Sequence, residues 1–406
     1  MTAVDAMGMP EHEHPLWLSD RISLISAGVD IGSATSQVVF STITLRRLGR
    51  EMSSRYAVVG RDMHYRSPVW LTPFQRGGDL DADALRALIA TGYGDAGYAS
   101  SDVDTGVVVL TGEAADRRNA RAIGDVVADL GGQFLSVAAG HHLEAVLAAH
   151  GNGAVARSRS SGRPVLTIDI GGGTTKLAVA RDGTVVATAA LHLGGRLIAF
   201  DDDGRLSRIE QAGDAVARAC GLRLRIGEVI APADVATMGR WMADRILAAV
   251  GSHPDRAPAG LWLTEPLPPV PVDAVIFSGG VGEYVYAAET MPYGDLGEAI
   301  GSALREQSAR LPAALVPATA RIRATVVGAA EYAVQVSGNT LFVAPPSALP
   351  MRNIRVVRPR IALPERVDVG LVAAGIQAAL RAGGVLEGTE DIALALDWQG
   401  DPSYGR

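Results

Sequence analysis

Apolar residues along this chain gather in short runs bounded by small and polar residues. Val107-Val108-Val109-Leu110, Val165-Leu166-Thr167-Ile168 and Val275-Ile276-Phe277 each have the length of one buried strand. Gln133-Phe134-Leu135-Ser136-Val137-Ala138 reads as another strand, followed by a helix from His141 to His150. Spacing near 3.6 over Ala115, Ala122, Val126, Val127 and Leu130 predicts a helix after the first of these strands. Asp79 to Ala90 predicts an amphipathic helix, with a turn beginning at Tyr93-Gly94. The rest of residues 50–100 is poor in regular pattern. Residues 200–265 hold two helical patterns, Ala212–Ala219 and Val235–Val250. Both regions read as inserts that form outer subdomains. Pro266 to Pro271 is a stiff linker into the strand at Val275.

Two of the strand-like runs end in the same way, about 140 residues apart. The first copy is Asp30-Ile31-Gly32-Ser33-Ala34-Thr35-Ser36-Gln37; the second is Asp169-Ile170-Gly171-Gly172-Gly173-Thr174-Thr175-Lys176. Asp, Ile, Gly and the first Thr coincide in register. Small residues between two β-rich runs predict a hairpin turn. Glycine lets backbone N–H groups approach an anion closely, and Ser33, Thr35, Ser36, Thr174 and Thr175 add short hydroxyl donors. An aspartate at each strand end suits a hydrated cation, and Mg²⁺ prefers oxygen ligands and keeps several waters. Two copies in register predict two related lobes that grip one polyphosphate from opposite sides, with Asp30 and Asp169 facing one Mg²⁺ site.

Other phosphate motifs are excluded. G-x-x-x-x-G-K-[ST] is absent at both loops, and a strand rather than a helix follows the glycines, unlike a dinucleotide fingerprint. A third element points the same way. In Val275-Ile276-Phe277-Ser278-Gly279-Gly280-Val281-Gly282-Glu283 a buried strand should end at Gly279-Gly280 and open a helix. Glycines there would admit a purine and ribose against the backbone.

Composition narrows the field. The 406 residues exceed the usual size of one core, so two lobes are expected, and 48% hydrophobic with 20% charged residues reads as globular. A net charge of −7 gives nucleic acid no electrostatic footprint. Cys220 alone makes neither a disulfide nor a cysteine zinc cluster and fits a small side chain at a helix end in a reducing cytoplasm. Residues 1–24 carry no secretory signal and read as a solvated tail, in which His12 and His14 need no metal. No apolar run approaches the ~20 residues of a spanning helix.

Taken together, the loops and the glycine pair resemble the phosphate-1, phosphate-2 and adenosine motifs of the actin, sugar-kinase and heat-shock-chaperone ATPase superfamily. Four further stretches resemble the EutA family, the reactivating factor of ethanolamine ammonia-lyase. They are Thr111-Gly112-Glu113-Ala114-Ala115 with Asn119-Ala120, Leu193-Gly194-Gly195-Arg196, Phe277 to Glu283, and Ile322 to Ala329 continuing through Tyr332 to Thr340. The likeness covers about residues 25–400 and departs in the alanine-rich loops around 200–265. Trp398 to Tyr404 resembles an internal segment of the family, so an abbreviated C-terminus is expected.

The resemblance implies an α/β, two-lobed actin-like ATPase fold, made of duplicated ribonuclease-H-like domains around a central nucleotide cleft. The lobes would be residues 25–160 and 161–406. It implies ATP and Mg²⁺ as cofactors, held by Gly32, Ser33, Thr35, Ser36, Gly171, Gly172, Gly173, Thr174, Thr175, Gly279, Gly280, Gly282 and Glu283. Glu113 is the candidate to orient a water against the γ-phosphate, with Asp169 beside it; a glutamate at a helix start facing the dipole is the competing reading. Glu283 could equally cap its own helix. Lys176 could reach a phosphate or face solvent; Arg196 fits an ion pair at a lobe hinge. The implied activity is ATP-dependent reactivation of adenosylcobalamin-dependent ethanolamine ammonia-lyase, by releasing damaged cobalamin. That partner, a homo-oligomer and a place in the cytoplasm or a bacterial microcompartment are compatible with it; nucleic acid and membrane are not. A small-molecule kinase would need an acceptor pocket, and an ATP-binding filament or scaffold protein an exposed self-complementary edge.

Overall fold

The computed structural model describes residues 21–32, 34–47, 56–75, 79–111, 134–251, 259–332, 354–359, 361, 368–382, 385 and 392–396. The chain divides into two compact units, Met1–Asn339 and Thr340–Arg406.

The first sheet of the larger unit is built from β1 (Arg21–Ile31), β2 (Thr35–Arg47), β3 (Tyr56–Arg66), β4 (Trp70–Leu71), β5 (Thr105–Thr111) and β6 (Phe134–Ala139). Its order is β3-β2-β1-β5-β6, with β4 on β2. β1, β2 and β3 are antiparallel neighbours, while β5 and β6 run parallel to β1. β3 lies in the stretch where the sequence shows little pattern. Its pairing with β2 shifts register between Phe40 and Ser41 and between Thr44 and Leu45, and such bulges break the alternation by which a strand is recognised. Helix α1 (Ala82–Ala96) covers one face with Leu85, Ile89 and Tyr93 against Val29, Val38 and Phe40. Asp81 caps it by accepting from the Ala84 N–H at 3.1 Å. It passes through Tyr93-Gly94, where a turn is expected, and ends only at Gly97, in the left-handed conformation.

The second sheet repeats this plan. After helices α2 (His141–Gly151) and α3 (Ala154–Ser161) come β7 (Val165–Ile170), β8 (Thr175–Arg181) and β9 (Thr184–Leu191). The ribbon β10 (Ile198–Phe200) with β11 (Leu206–Ile209) and helices α4 (Gln211–Ala219) and α5 (Pro232–Val250) follow. The two helices fall where the sequence places them. Then come β12 (Ala274–Ser278), α6 (Gly279–Val285), α7 (Gly297–Glu306), β13 (Ala314–Leu315) and α8 (Ala324–Tyr332). The sheet order is β9-β8-β7-β12-β13, the same third-second-first-fourth-fifth succession as in the first sheet once β4 and the β10–β11 ribbon are set aside. Strand sense is repeated too: antiparallel through the hairpins, parallel across the helical crossovers. This is the ribonuclease-H-like topology twice over. Every residue of β7 is buried, as expected of a central strand covered on both faces.

The two sheets share a helical layer. Ala145 and Ala149 of α2 pack on the second sheet beside Ala178 and Ile276. Leu147 of the same helix packs on Val107 and Val109 of the first sheet, with Ala329 and Ala330 of α8. α8 follows the second sheet in sequence yet lies against β1, β2 and β5. α2 and α8 cross almost backbone to backbone. A Cβ on Gly151 would fall on the Ala324 carbonyl, and one on Gly328 on the Leu147 carbonyl. The outer face of the second sheet packs on Met238, Met242 and Ile246 of α5 and on Ile300 and Leu304 of α7. No described helix is long and apolar enough to cross a membrane.

In the smaller unit, β14 (Arg355–Val357) pairs in parallel with β15 (Ile392–Leu394), and helix α9 (Val369–Ala382) contributes Leu380 to a core with Val357 and Val385.

Candidate functional site

The two hairpins share the same pairing and the same closing hydrogen bond at their turns. Ile31 pairs with Ser36 and Ile170 with Thr175; inside each turn the Gly32 N–H donates to Thr35 O at 2.9 Å and the Gly171 N–H to Thr174 O at 3.0 Å. Asp30 lies opposite Gln37 and Asp169 opposite Lys176. The turns meet: a Cβ built on Gly172 would stand 2.8 Å from the Ala34 Cβ. The second turn is braced from behind. Gly195 N–H donates to Gly171 O at 2.9 Å and Arg196 N–H to Gly172 O at 2.7 Å. The Leu193-Gly194-Gly195-Arg196 stretch thus serves as its backing, and the Arg196 guanidinium pairs with Asp295 at 3.7 Å within the second lobe rather than at a hinge. Among the described residues, the N–H groups of Gly172, Gly173 and Thr174 have no protein acceptor. They remain available to an anion.

Both aspartates are buried. The Gln37 amide donates to Asp30 Oδ2 at 3.3 Å and also to the Ile322 carbonyl at 3.1 Å, and Thr111 donates to Asp30 Oδ1 at 3.5 Å. Ser278 donates to Asp169 Oδ1 at 2.6 Å and is itself tied to Asn152, which also bonds Thr167. Burial raises the Asp30 pKa to about 7; the Gln37 bond and Lys176 pull it down, while Glu144 and Asp169 push it further up. Burial also raises Asp169, opposed by the Ser278 bond and by Lys176. Lys176 is neither solvent-facing nor free. It is buried in an ion pair with Glu144 and donates to the Thr174 hydroxyl. Glu144 and Gln37 complete the site without having been expected in it. The available signal was Glu144 itself, an acid within the apolar run Leu143 to Ala149.

Other expected residues are placed as follows. Ser36 is buried and pairs with the Thr72 hydroxyl at 2.9 Å, and Thr175 is buried and donates to Leu193 O at 2.7 Å. Both hydroxyls therefore have structural roles within their own lobes rather than ligand-facing ones. Gly279 and Gly280 do end a buried strand and open α6. Gly279 has φ +79°, and a Cβ there would collide with the Ile170 backbone, so glycine is demanded here by the close approach to β7. Gly280 is open apart from Ile322, and Gly282 is buried against Phe277. Glu283 accepts from Arg321 Nε at 2.5 Å and from the Ile322 N–H at 3.2 Å, which anchors the approach to α8. Ser33, Gly112 and Glu113 lie outside the described residues, as does the helix expected after them; Thr111, just before, reaches Asp30. His142 stands in the first turn of α2, bonded to Thr188 at 2.8 Å. Cys220 caps the end of α4, its thiol pKa pushed up by burial.

The residues fit a magnesium nucleotide. Asp30, Asp169 and Glu144 bring three buried carboxylates around one lysine, an excess of negative charge that a divalent cation would offset. No three His, Cys, Asp or Glu side chains among the described residues form a metal cage on their own, and Mg²⁺ bound with phosphates and waters needs none.

Two ribonuclease-H-like lobes, each delivering an aspartate and a glycine-hydroxyl turn to one junction, define an actin-like two-lobed protein. Within that class the chain belongs to the family of the ethanolamine utilisation protein EutA, whose pattern it matches over residues 22–406. It is similar to the ethanolamine ammonia-lyase reactivase EutA of Salmonella typhimurium, 36% identical over 368 residues that cover 88% of this chain and 76% of the relative. The reactivase of the same name from Escherichia coli K12 is 34% identical over 346 residues, 83% and 73% of the two chains. Solved structures overlay only remotely. Component A of (R)-2-hydroxyglutaryl-CoA dehydratase from Acidaminococcus fermentans gives a TM-score of 0.38 at 14% identity, covering 76% of this chain and 97% of its own. Ethanolamine utilization protein EutJ from Carboxydothermus hydrogenoformans gives 0.36 at 15%, covering 77% and 90%. The duplicated strand order, not these overlays, defines the fold.

Proposed function

We propose that this protein is an ATP-dependent reactivase of adenosylcobalamin-dependent ethanolamine ammonia-lyase, binding Mg·ATP between its two hairpin turns. The observation that carries this reading is the pair of equivalent turns, each beginning at a buried aspartate and meeting at Ala34 and Gly172. The family and the names of the two relatives supply the partner.

Bound Mg·ATP would supply a transferable γ-phosphoryl group whose presence or absence differs between two states. Asp30 and Asp169 would hold the cation, directly or through water. The N–H groups of Gly172, Gly173 and Thr174 would hold phosphate oxygens from the second lobe, and the turn at Gly32 to Thr35 from the first. Lys176 offsets part of the surrounding carboxylate charge and keeps the Thr174 hydroxyl oriented. Gly280 offers an open backbone surface for the nucleoside. Glu113, two residues beyond Thr111 in the sequence, would orient the attacking water. Contacts from both turns to one phosphate chain would favour one angle between the lobes, and loss of those contacts would release it. Work on the lyase then requires that its surface bind the two lobe angles unequally.

The test is recovery of inactivated lyase with this protein, Mg²⁺, ATP and fresh adenosylcobalamin. Recovery should require ATP and be lost with a non-hydrolysable analogue. Equal recovery without nucleotide, or a phosphorylated small molecule as product, would overturn the reading.

A further inference from the structure

β3, the α2–α3 turn and the N-terminal end of α8 enclose a cavity of about 550 Å³, well within the size of small-molecule sites. Four guanidinium groups line it, those of Arg61, Arg66, Arg321 and Arg323, against one described carboxylate, Glu283. None of Gly32, Thr35, Gly172 and Gly173 is on its walls, so it lies beside the junction of the two turns rather than at it, and it meets the open face of Gly280 at Ile322. This concentration of positive charge stands in a chain whose net charge is −7.

Arg66 and Arg323 are not neutralised by the described walls. Glu283 is held by Arg321 and by the Ile322 N–H. Arg61 donates to the Val327 carbonyl at 2.7 Å. Arg323 donates from Nη2 to the Ser67 carbonyl at 2.8 Å, while its Nε is buried with no partner among the described residues. Burial, and then the charge of Arg66, push the Arg323 pKa down, with Glu283 opposing. Arg66 is exposed and its Nε reaches the Met63 sulfur at 3.2 Å, a weak acceptor. Arg66 and Arg323 therefore repel each other, and the one described carboxylate nearby is already engaged.

We propose that this cavity binds a phosphate-bearing small anion, gripped by Arg66 and Arg323, with Arg321 at its edge. A phosphoryl group has enough oxygens to accept from guanidinium forks arriving from different directions. The volume exceeds that of phosphate alone, and the apolar walls at Met63, Ile322 and Val327 suit the organic remainder of a phosphate monoester.

The experiment uses the full chain saturated with Mg²⁺ and a non-hydrolysable ATP analogue, so that the turns are filled. Inorganic phosphate and glycerol 3-phosphate are then titrated calorimetrically. One equivalent should bind, and Arg66→Gln and Arg323→Gln should each weaken it at least tenfold. Tighter binding of glycerol 3-phosphate assigns an organic ligand, and equal binding assigns the free ion. Arg66 is exposed, so its variant tests the site even if Arg323→Gln does not fold. The proposal is overturned if neither probe binds or if Arg66→Gln leaves affinity unchanged. It is also overturned if the probes displace the nucleotide analogue, which would make the cavity part of the nucleotide site.

Discussion

Gly172 and Ala34, 138 positions apart in the chain, are neighbours: a Cβ on the glycine would lie 2.8 Å from the Cβ of the alanine. One belongs to the turn of the second sheet and the other to the turn of the first. The contact brings together the two halves of the internal repeat at the point where a shared ligand would touch both.

That contact makes adjacent glycines separable. Gly172→Val has to push the turns apart, and should lower Mg·ATP affinity at least tenfold. Gly173 has open space around its built Cβ, so Gly173→Ala should leave the melting temperature unchanged while hindering phosphate approach. Thermal melts and nucleotide titrations on both variants decide this. A Gly172→Val protein with parental affinity would show that the turns do not act together.

The glycine pair at the start of α6 should divide in the opposite sense. Gly279→Val meets both the positive φ and the Ile170 backbone, and is expected to cost several kcal/mol and yield little folded protein. Gly280→Val should fold and lose nucleotide affinity. Expression yield and circular dichroism, followed by titration of the folded variant, distinguish them. Unchanged affinity in Gly280→Val would move the nucleoside elsewhere.

Asp30 should make the metal-free protein less stable as pH rises. Its pKa is about 7 in the folded chain, against the ordinary value near 4 once unfolded. Between those values the folded state keeps a proton that the unfolded state releases. Its stabilising effect is therefore complete below about pH 4 and is lost as pH rises through about 7, by up to ~1.4 kcal/mol per unit. Asp30→Asn should flatten this decline and melt higher than the parent at pH 8 in chelator. Asp169, also raised, leaves a residual slope. Parallel melting profiles of parent and variant from pH 5 to 8 would rule this out.

Lys176 is the one cation that the described carboxylates of this junction share. Lys176→Met takes the lysine away from buried Glu144, beside Asp30 and Asp169, and should cost about 3–5 kcal/mol, the usual effect of removing one partner of a buried pair. Lys176→Met with Glu144→Leu should recover part of that loss. Urea unfolding of the two single variants and the double variant gives the coupling directly. Additive losses would mean that the pair is not coupled.

The parts of the molecule that announce themselves in sequence are those in which one local pattern suffices. Asp30-Ile31-Gly32 and Asp169-Ile170-Gly171 display the duplication because identical turns need identical residues. β12 and the opening of α6 follow from an apolar run ending in glycines. What escaped depends on distant partners. Lys176 finds Glu144 only after two helices and two strands have been placed, and no spacing rule links them. Gly279 is demanded by Ile170, which no local window contains. β3 is hidden by its bulges, and α1 outlasts Gly94 because Gly97, not Gly94, takes the left-handed cap.

The crossing of α2 and α8 has a mechanical consequence. Each helix is joined to one sheet in sequence and lies against the other, so the lobes hold each other by exchanged arms. Gly151 and Gly328 bring the arms together with no side chain between them, in the manner of a rivet through scissor blades. Blades so joined do not slide or peel apart; they turn. A few degrees at the rivet would become a displacement that grows with distance from it, and a rotation there would change the separation of the turns at Ala34 and Gly172.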